Sequence, residues 1–290
     1  MPLWEAILLG IVQGLTEFLP ISSTAHLLFV RKALGHDHPE DAFTTVIQLG
    51  TLVAVFIYFR RDIVALVRAV WNDLRVRKFA STAESRLAWL IVLGTIPVVI
   101  VGFTLKKWLK SNFYDLRPMA ITAIVFALLM FAAEMWSRRH QRHVTTDTET
   151  SISWGQSLWI GIWQALALFP GASRSGTTIT GGLFAGLSRG TAARFSFLMS
   201  LPSVLGAGMK ELYDEWKLYK KPDPAGHRSL FESGDEITAL VVGTLVSAIV
   251  GYFAIAWLIG YLKRYSTTVF VVYRIILGIA ILVALSANWI

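Results

Sequence analysis

Six stretches of the chain are apolar for long enough, or nearly so, to cross the hydrocarbon of a bilayer as helices, which takes about 17 to 25 residues. They fall at residues 43 to 59, 87 to 105, 118 to 136, 192 to 212, 237 to 259 and 269 to 286. Two further apolar regions, residues 2 to 34 and 155 to 188, are interrupted near their middles by Pro, Ser and Thr together with His or Arg. These interruptions predict broken, re-entrant helices. Irregular backbone at membrane depth survives only where protein buries it or where it lines a wet cavity, so each break marks a candidate polar site.

The two broken regions share a pattern. Gly10-Ile11-Val12-Gln13-Gly14-Leu15 with Phe18 recurs as Gly161-Ile162-Trp163-Gln164-Ala165-Leu166 with Phe169, at a constant offset of 151. Each string then reaches a proline, Pro20 or Pro170, and a cluster of Ser and Thr. A fainter echo, Gln48-Leu49-Gly50 against Ser200-Leu201-Pro202, follows at an offset of 152. One broken segment followed by three spans therefore occurs twice, and because three is odd the second copy enters the membrane in the opposite sense. The expected fold is a single all-α polytopic membrane domain over residues 1–290, with about six transmembrane helices and two broken re-entrant segments. Its halves, approximately 1–140 and 150–290, form inverted-topology repeats whose breaks meet near mid-bilayer.

Composition agrees with a membrane protein: 54% of residues are hydrophobic, 16% are charged and the mean hydropathy is +0.56. Trp89, Trp108, Trp136 and Trp289 stand near the ends of apolar runs, where amphipathic rings sit at headgroup level. The absence of cysteine excludes disulfides, thiolate catalysis and thiolate metal sites. The start of the chain lacks a basic stretch and a small-residue cleavage site, so no cleaved signal peptide is expected. A net charge of +8 would suit nucleic acid, but the Lys and Arg residues lie mostly between apolar runs, so no nucleic-acid partner is expected.

The same charges suggest an orientation. Residues 60 to 86 hold seven Lys and Arg and are expected to be cytoplasmic, together with 137 to 154 and 260 to 268, which carry Arg138, Arg139, Arg142, Lys263 and Arg264. The segment Tyr213 to Glu236, with six acidic and four basic residues, would then be periplasmic, and both termini would face outward. Lys106, Lys107, Lys110 and Arg117 would also lie outside, against the rule.

The first break carries Gln13, Glu17, Pro20, Ser22, Ser23, Thr24 and His26. Gln13 and Glu17 are four apart and share a face of a helix ending at Pro20, and a carboxylate at membrane depth marks a functional site. Any of Ser22, Ser23 and Thr24 can cap the next helix, whose first amides form an anion site. His26, three residues past Ser23, is expected to approach that hydroxyl. The second break reads Pro170-Gly171-Ala172-Ser173-Arg174-Ser175-Gly176-Thr177-Thr178-Ile179. Arg174 needs an anion there, and its planar fork matches phosphate, with Ser173, Ser175, Gly176, Thr178 and exposed amides as further donors. Taken singly, Ser and Thr also serve as helix back-bonders and Gly as a packing device.

Both strings, Gln13 to His26 and Pro170 to Ile179, closely resemble the two signature motifs of the bacterial undecaprenyl-diphosphate phosphatase family, and the resemblance runs the whole chain, including Phe195-Ser196-Phe197-Leu198 and Tyr273-Arg274. The resemblance implies a multi-pass inner-membrane enzyme that hydrolyses undecaprenyl diphosphate to the monophosphate, recycles the lipid carrier for cell-wall synthesis and confers bacitracin tolerance. It also implies a divalent cation, Mg²⁺ or Ca²⁺, a site opening to the periplasm, and catalytic weight on Glu17, Ser23, His26 and Arg174. Gln13 stands where many members have Glu, which leaves one carboxylate for a metal, and Ala25 where Gly is usual, so that position need not have positive φ.

The expected reaction is in-line attack on the terminal phosphorus, with Arg174 and helix N-terminal amides holding the phosphoryl oxygens and Ser22 and Thr24 nearby. Ser23 is the favoured nucleophile with His26 or Glu17 as base, while His26 itself or water stays open as the attacking group. Glu17, helped by Gln13, is the expected metal ligand, in competition with its role as base. A non-hydrolytic lipid-phosphate flippase is the alternative, because inverted repeats with broken helices are a transporter architecture. A homodimer stays open.

Overall fold

The computed structural model describes residues 1–36, 42–139, 148–221, 230–231 and 233–287; Arg142, His227 and Trp289 lie outside them, as do the side chains of Lys106, Lys107 and Lys110. The described residues form helices and no β-strand. In chain order these are α1 Leu3–Phe18, α2 Ser23–Ala33, α3 Ala42–Val46, α4 Gln48–Tyr58, α5 Arg60–Arg75, α6 Ala83–Phe113, α7 Leu116–Arg139, α8 Trp154–Leu166, α9 Arg174–Phe184, α10 Arg189–Lys220, α11 Gly234–Leu262 and α12 Thr268–Ser286.

Local chemistry sets where the helices begin and stop. Thr82, Ser153, Ser188 and Ser233 cap α6, α8, α10 and α11 by accepting a backbone N–H with the side-chain oxygen, and Ser153 forms a reciprocal box with Gln156. α1 stops before Pro20, because the proline ring pushes Leu19 out of the helical region into extended backbone at φ −63°, ψ 138°. α8 stops before Pro170-Gly171, where Gly171 has φ +91° and its α-carbon faces the Met119 carbonyl too closely for any side chain.

Among the described residues, four helices are long and apolar enough to cross a membrane: Ala83–Leu105 within α6, then α7, α11 and α12. A fifth span exists if Ala42–Tyr58 and Arg60–Arg75 are counted as one bent pair. The expected count of six is thus not reached by length and composition. The stretch expected at 192 to 212 is helical within α10, but Arg194, Ser196, Ser200, Pro202 and Ser203 dilute its hydropathy. Several of these polar groups are turned toward protein: Ser196 and Ser200 are buried, and Ser203 lines a cavity described below.

Packing follows an exchange pattern between the halves. α1 lies along α11 as α8 lies along α6, α4 and α10 pack on the same two helices, and α12 runs against α7. The two crossings are made by small residues. A side-chain carbon built on Gly161 would sit 2.4 Å from the Gly94 carbonyl oxygen, and one on Gly10 would sit 2.6 Å from that of Gly243. Only glycine permits backbones to come so close, and packing rather than hydrophobic drive holds helices together in lipid.

The segments between helices gather at two ends. At one, Arg194 pairs with Asp62 at 3.3 Å and with Glu149, and Arg86 donates to the Thr150 carbonyl. The buried Glu134 there joins Arg138 at 3.0 Å, Arg189, and the Thr267 hydroxyl at 3.0 Å, tying the end of α7 to the starts of α10 and α12. At the other, His36 meets Glu5 at 3.1 Å and the Leu230 amide donates to Glu215 at 2.9 Å.

Candidate active site

The breaks between α1 and α2 and between α8 and α9 have the same conformation. Ser22 (φ 74°, ψ 97°) and Ser173 (φ 68°, ψ 115°) are the N-caps, each accepting from the amide three residues on, Ala25 at 3.5 Å and Gly176 at 3.2 Å. Positive φ is costly for a residue with a side chain, and such strain persists where the surroundings over-determine it. It falls on Ser22, while Ala25 lies within α2 and is not among the positive-φ residues.

The shared offset of 151 makes Ser23 and Arg174 equivalent: each is the first residue after its cap. Both reach the same carboxylate. Ser23 Oγ donates to Glu17 Oε2 at 2.8 Å, Gln13 Nε2 donates to the same oxygen at 3.0 Å, and Arg174 pairs with Oε1. Glu17 is buried, and its charge at this depth is tolerable because one guanidinium and two neutral donors compensate it. The other terminal nitrogen of Arg174, Nη1, is buried with no partner. With the caps spent on Ala25 and Gly176, the amides of Ser23, Thr24, Arg174 and Ser175 have no acceptor among the described residues.

These groups face a cavity of about 250 Å³ lined by Glu17, Ser22, Ser23, Thr24, Ser173 and Arg174, with Gln48, Gln164, Tyr114 and Ser203 among its other walls. Two helix N-termini and one half-free guanidinium at a single hollow make an anion site.

Other expected site residues are placed differently. Ser175 donates to the Leu19 carbonyl at 3.1 Å, Thr178 bonds the Arg174 carbonyl at 2.7 Å and the Ser196 hydroxyl, and Gly176 packs under Arg274. None of the three lines the cavity; they fasten one break to the other and to α10. His26 does not reach Ser23. Its Nδ1 is 2.7 Å from the Ser22 carbonyl oxygen and must carry the hydrogen, since a carbonyl only accepts, so Nε2 accepts from the Tyr273 hydroxyl at 2.6 Å. Ser23 and His26 both lie in the first turn of α2, but the imidazole is held by the Ser22 carbonyl and the Tyr273 hydroxyl, with the Tyr273 ring 5.7 Å away. The partner of Ser23 is Glu17 instead.

Sequence reasoning did not single out Gln48, Gln164, Tyr114 or the part played by Arg274. Arg274 is fully buried and donates to the carbonyls of Pro20 at 3.5 Å, Gly171 at 3.0 Å and Ala172 at 2.9 Å, clamping both breaks together. An arginine inside the last apolar run carries the same signal as Arg174.

Glu17 and Gln13 are the side chains expected to hold Mg²⁺ or Ca²⁺. Glu17 is the one carboxylate among the described residues that line the cavity, both its oxygens already accept, and a cation there would meet the Arg174 guanidinium. The amide oxygens Gln13 Oε1 and Gln164 Oε1, both buried without a partner, are left to ligate. These side chains do not by themselves fit a divalent ion, which takes six or more oxygens.

Fold and site together define a multi-pass helical membrane protein with an anion-binding hollow built from two broken helices. The profile of the family described as Bacitracin resistance protein BacA matches residues 6–280, and the chain belongs to that family. Among its relatives, an undecaprenyl-diphosphatase of Chlorobium limicola is 47% identical over 289 residues, covering 99% of this chain and 98% of the relative. One of Chlorobium phaeobacteroides strain BS1 is 48% identical over 283 residues, with 97% and 96% covered. One of Chloroherpeton thalassium is 46% identical over 287 residues, with 99% and 98% covered.

Proposed function

We propose that this chain hydrolyses undecaprenyl diphosphate to undecaprenyl phosphate and inorganic phosphate in the bacterial inner membrane. The observation that carries the reading is the Ser23 hydroxyl donating at 2.8 Å to a carboxylate that Arg174 neutralises, at a hollow where two helices begin. The names of the relatives supply the substrate.

The terminal phosphate enters between the two helix starts, where Arg174 Nη1 and the free amides receive its oxygens. Arg174 is drawn from Glu17 toward the phosphate, which leaves Glu17 to take the Ser23 proton. Ser23 Oγ attacks phosphorus, the bridging P–O bond breaks, and undecaprenyl phosphate leaves. Water then attacks the phosphoserine, the Ser23 O–P bond breaks, inorganic phosphate departs, and Glu17 returns the proton to Ser23. The helix N-terminal amides are in place before reaction, and with Arg174 in its shifted position they stabilise the charge spread over the phosphoryl oxygens.

The site opens toward the periplasm in this reading. In support, the cavity runs from the breaks toward Tyr114, at the α6–α7 turn, on the end of the molecule away from the Arg-rich segment 60 to 86. The halves act as inverted repeats, supported by the matched caps and the exchanged packing of α1 on α11 and α8 on α6.

Purified protein given undecaprenyl diphosphate in detergent should release inorganic phosphate. Ser23→Ala and Glu17→Gln should each lose at least about 10³-fold in kcat, and the double variant should resemble either single, because nucleophile and base act as a unit. Translocation of the lipid without phosphate release by the wild type would overturn the reading in favour of a flippase. Retention of about a tenth of the rate by Ser23→Ala, a barrier change barely over 1 kcal/mol, would exclude Ser23 as nucleophile.

A further inference from the structure

Helix α5 contributes nothing to the site, yet its surface is strongly divided. It leaves the preceding helical stretch at a bend of 77°. α4 packs along α11, which is long enough to span, so the bend turns α5 away from the membrane normal and toward the plane of its surface. Val64, Val67, Trp71 and Leu74 recur at helical spacing as one stripe, and each is between 45% and 63% exposed. Arg61, Arg68 and Arg75 recur every seventh residue along the edge of that stripe and are all exposed. The opposite face, with Leu66 and Asp73, is buried.

Between α5 and α6 runs a groove of about 310 Å³ lined by Leu66, Val67, Val70, Trp71, Leu74 and Ala88. The Arg75 guanidinium lies 5.1 Å over the Trp71 ring, while Arg61 and Arg68 have no ion-pair partner among the described residues. At the same end, Phe79 packs on Trp89 at 5.1 Å and on Trp154 at 6.1 Å, an aromatic cluster of the kind that sits at headgroup level. A leaflet of anionic phospholipid satisfies both halves of the surface at once.

We propose that α5 is a binding element for anionic phospholipid: acyl chains cover the stripe and enter the α5–α6 groove, and lipid phosphates lie against Arg61, Arg68 and Arg75. Guanidinium attraction to lipid phosphate and burial of an apolar stripe are the two terms that hold interfacial helices on membranes. The element stands apart from the cavity, and its loss leaves the reaction chemistry in place.

The chain has no cysteine, so Trp71→Cys and Ala65→Cys each carry a single fluorophore. In vesicles of phosphatidylcholine and phosphatidylglycerol containing an acyl-chain spin label, the probe at 71, on the stripe, should be quenched and the probe at 65, beyond the arginine row, should not. Phosphatidylglycerol titrated into the full-length protein in phosphatidylcholine–detergent micelles should raise its thermal midpoint. The Arg61→Gln, Arg68→Gln, Arg75→Gln triple variant should need on the order of 10²-fold more of that lipid, and Arg68→Gln alone about fivefold more. Phosphate release in detergent should match wild type in both. An unquenched probe at 71, a wild type indifferent to phosphatidylglycerol, or Arg68→Gln responding as wild type would each overturn the proposal.

Discussion

Glu17 holds its charge at membrane depth through three donors, and they are not equivalent. Gln13 and Ser23 give neutral hydrogen bonds at 3.0 Å and 2.8 Å, whereas Arg174 supplies a compensating charge across the boundary between the two halves. Removing Arg174 leaves a buried carboxylate unpaired, which costs about 3–5 kcal/mol in such settings. Arg174→Ala should therefore lower the thermal midpoint as well as the rate. Lysine at 174 keeps the charge but presents a single ammonium where a fork now spans Glu17 and the unpartnered Nη1 position. Arg174→Lys should stay folded, within a few degrees of wild type, and lose on the order of 10²-fold in kcat/KM, roughly 3 kcal/mol of transition-state stabilisation. Steady-state kinetics of the purified variant beside its melting curve check this, and a fully active lysine variant would mean that Arg174 only neutralises Glu17. His26 belongs to a separate set of contacts. Its hydrogen bond to the Ser22 carbonyl ties it to the strained cap that precedes Ser23.

At the level of the helices, two glycine contacts fix how far apart the broken segments stand. Gly161 lets α8 touch α6 at Gly94, and Gly10 lets α1 touch α11 at Gly243. Gly155 lies on the same helix as Gly161 but has open space around it. Gly155→Ala should then be close to neutral, while Gly161→Leu should force α8 off α6, costing about 1–3 kcal/mol or more and displacing the break that carries Arg174. Thermal midpoints of the two variants, with phosphate release measured alongside, check the pair. This contact explains part of what the sequence shows. The breaks were legible because Pro, Gly and Ser inside apolar runs are physically anomalous, and their likeness was legible because Gly10 and Gly161 begin the same string. Gln13 and Glu17 could be paired because helical spacing alone decides it. The contact of Arg174 with Glu17 joins residues 157 apart and was reachable only as an expectation from charge burial. The separation of His26 from Ser23 has a physical source too: both lie in α2 at helical spacing, but the Ser23 hydroxyl is turned to Glu17 and the imidazole is held between the Ser22 carbonyl and Tyr273. α5 was hidden because its arginines read as flanking charge while its stripe is only four residues wide.

For the molecule as a whole, the polar connections gather in two groups. Asp62, Arg86, Glu134, Glu149, Arg189, Arg194 and Thr267 are bonded together at one end. Glu5, His36, Glu215 and Leu230 are paired at the other. In the proposed inverted-repeat topology, α1–α2 and α8–α9 each turn back inside the bilayer from opposite ends, the arrangement that would bring Ser23 and Arg174 to one carboxylate. It fixes which segments share a side but gives no direction relative to the cell. The proposed direction rests on charge: residues 60 to 86 carry seven Lys and Arg, and the positive-inside bias favours the cytoplasm for that end. Lys78 and Asp235 are both exposed, one at each end, and each can be replaced by the chain's only cysteine. In intact cells an impermeant thiol reagent should label Asp235→Cys and spare Lys78→Cys until the membrane is permeabilised. The reverse pattern would turn the cavity at Glu17 toward the cytoplasm, where a lipid diphosphate presented on the outer leaflet could not reach it without first crossing the bilayer.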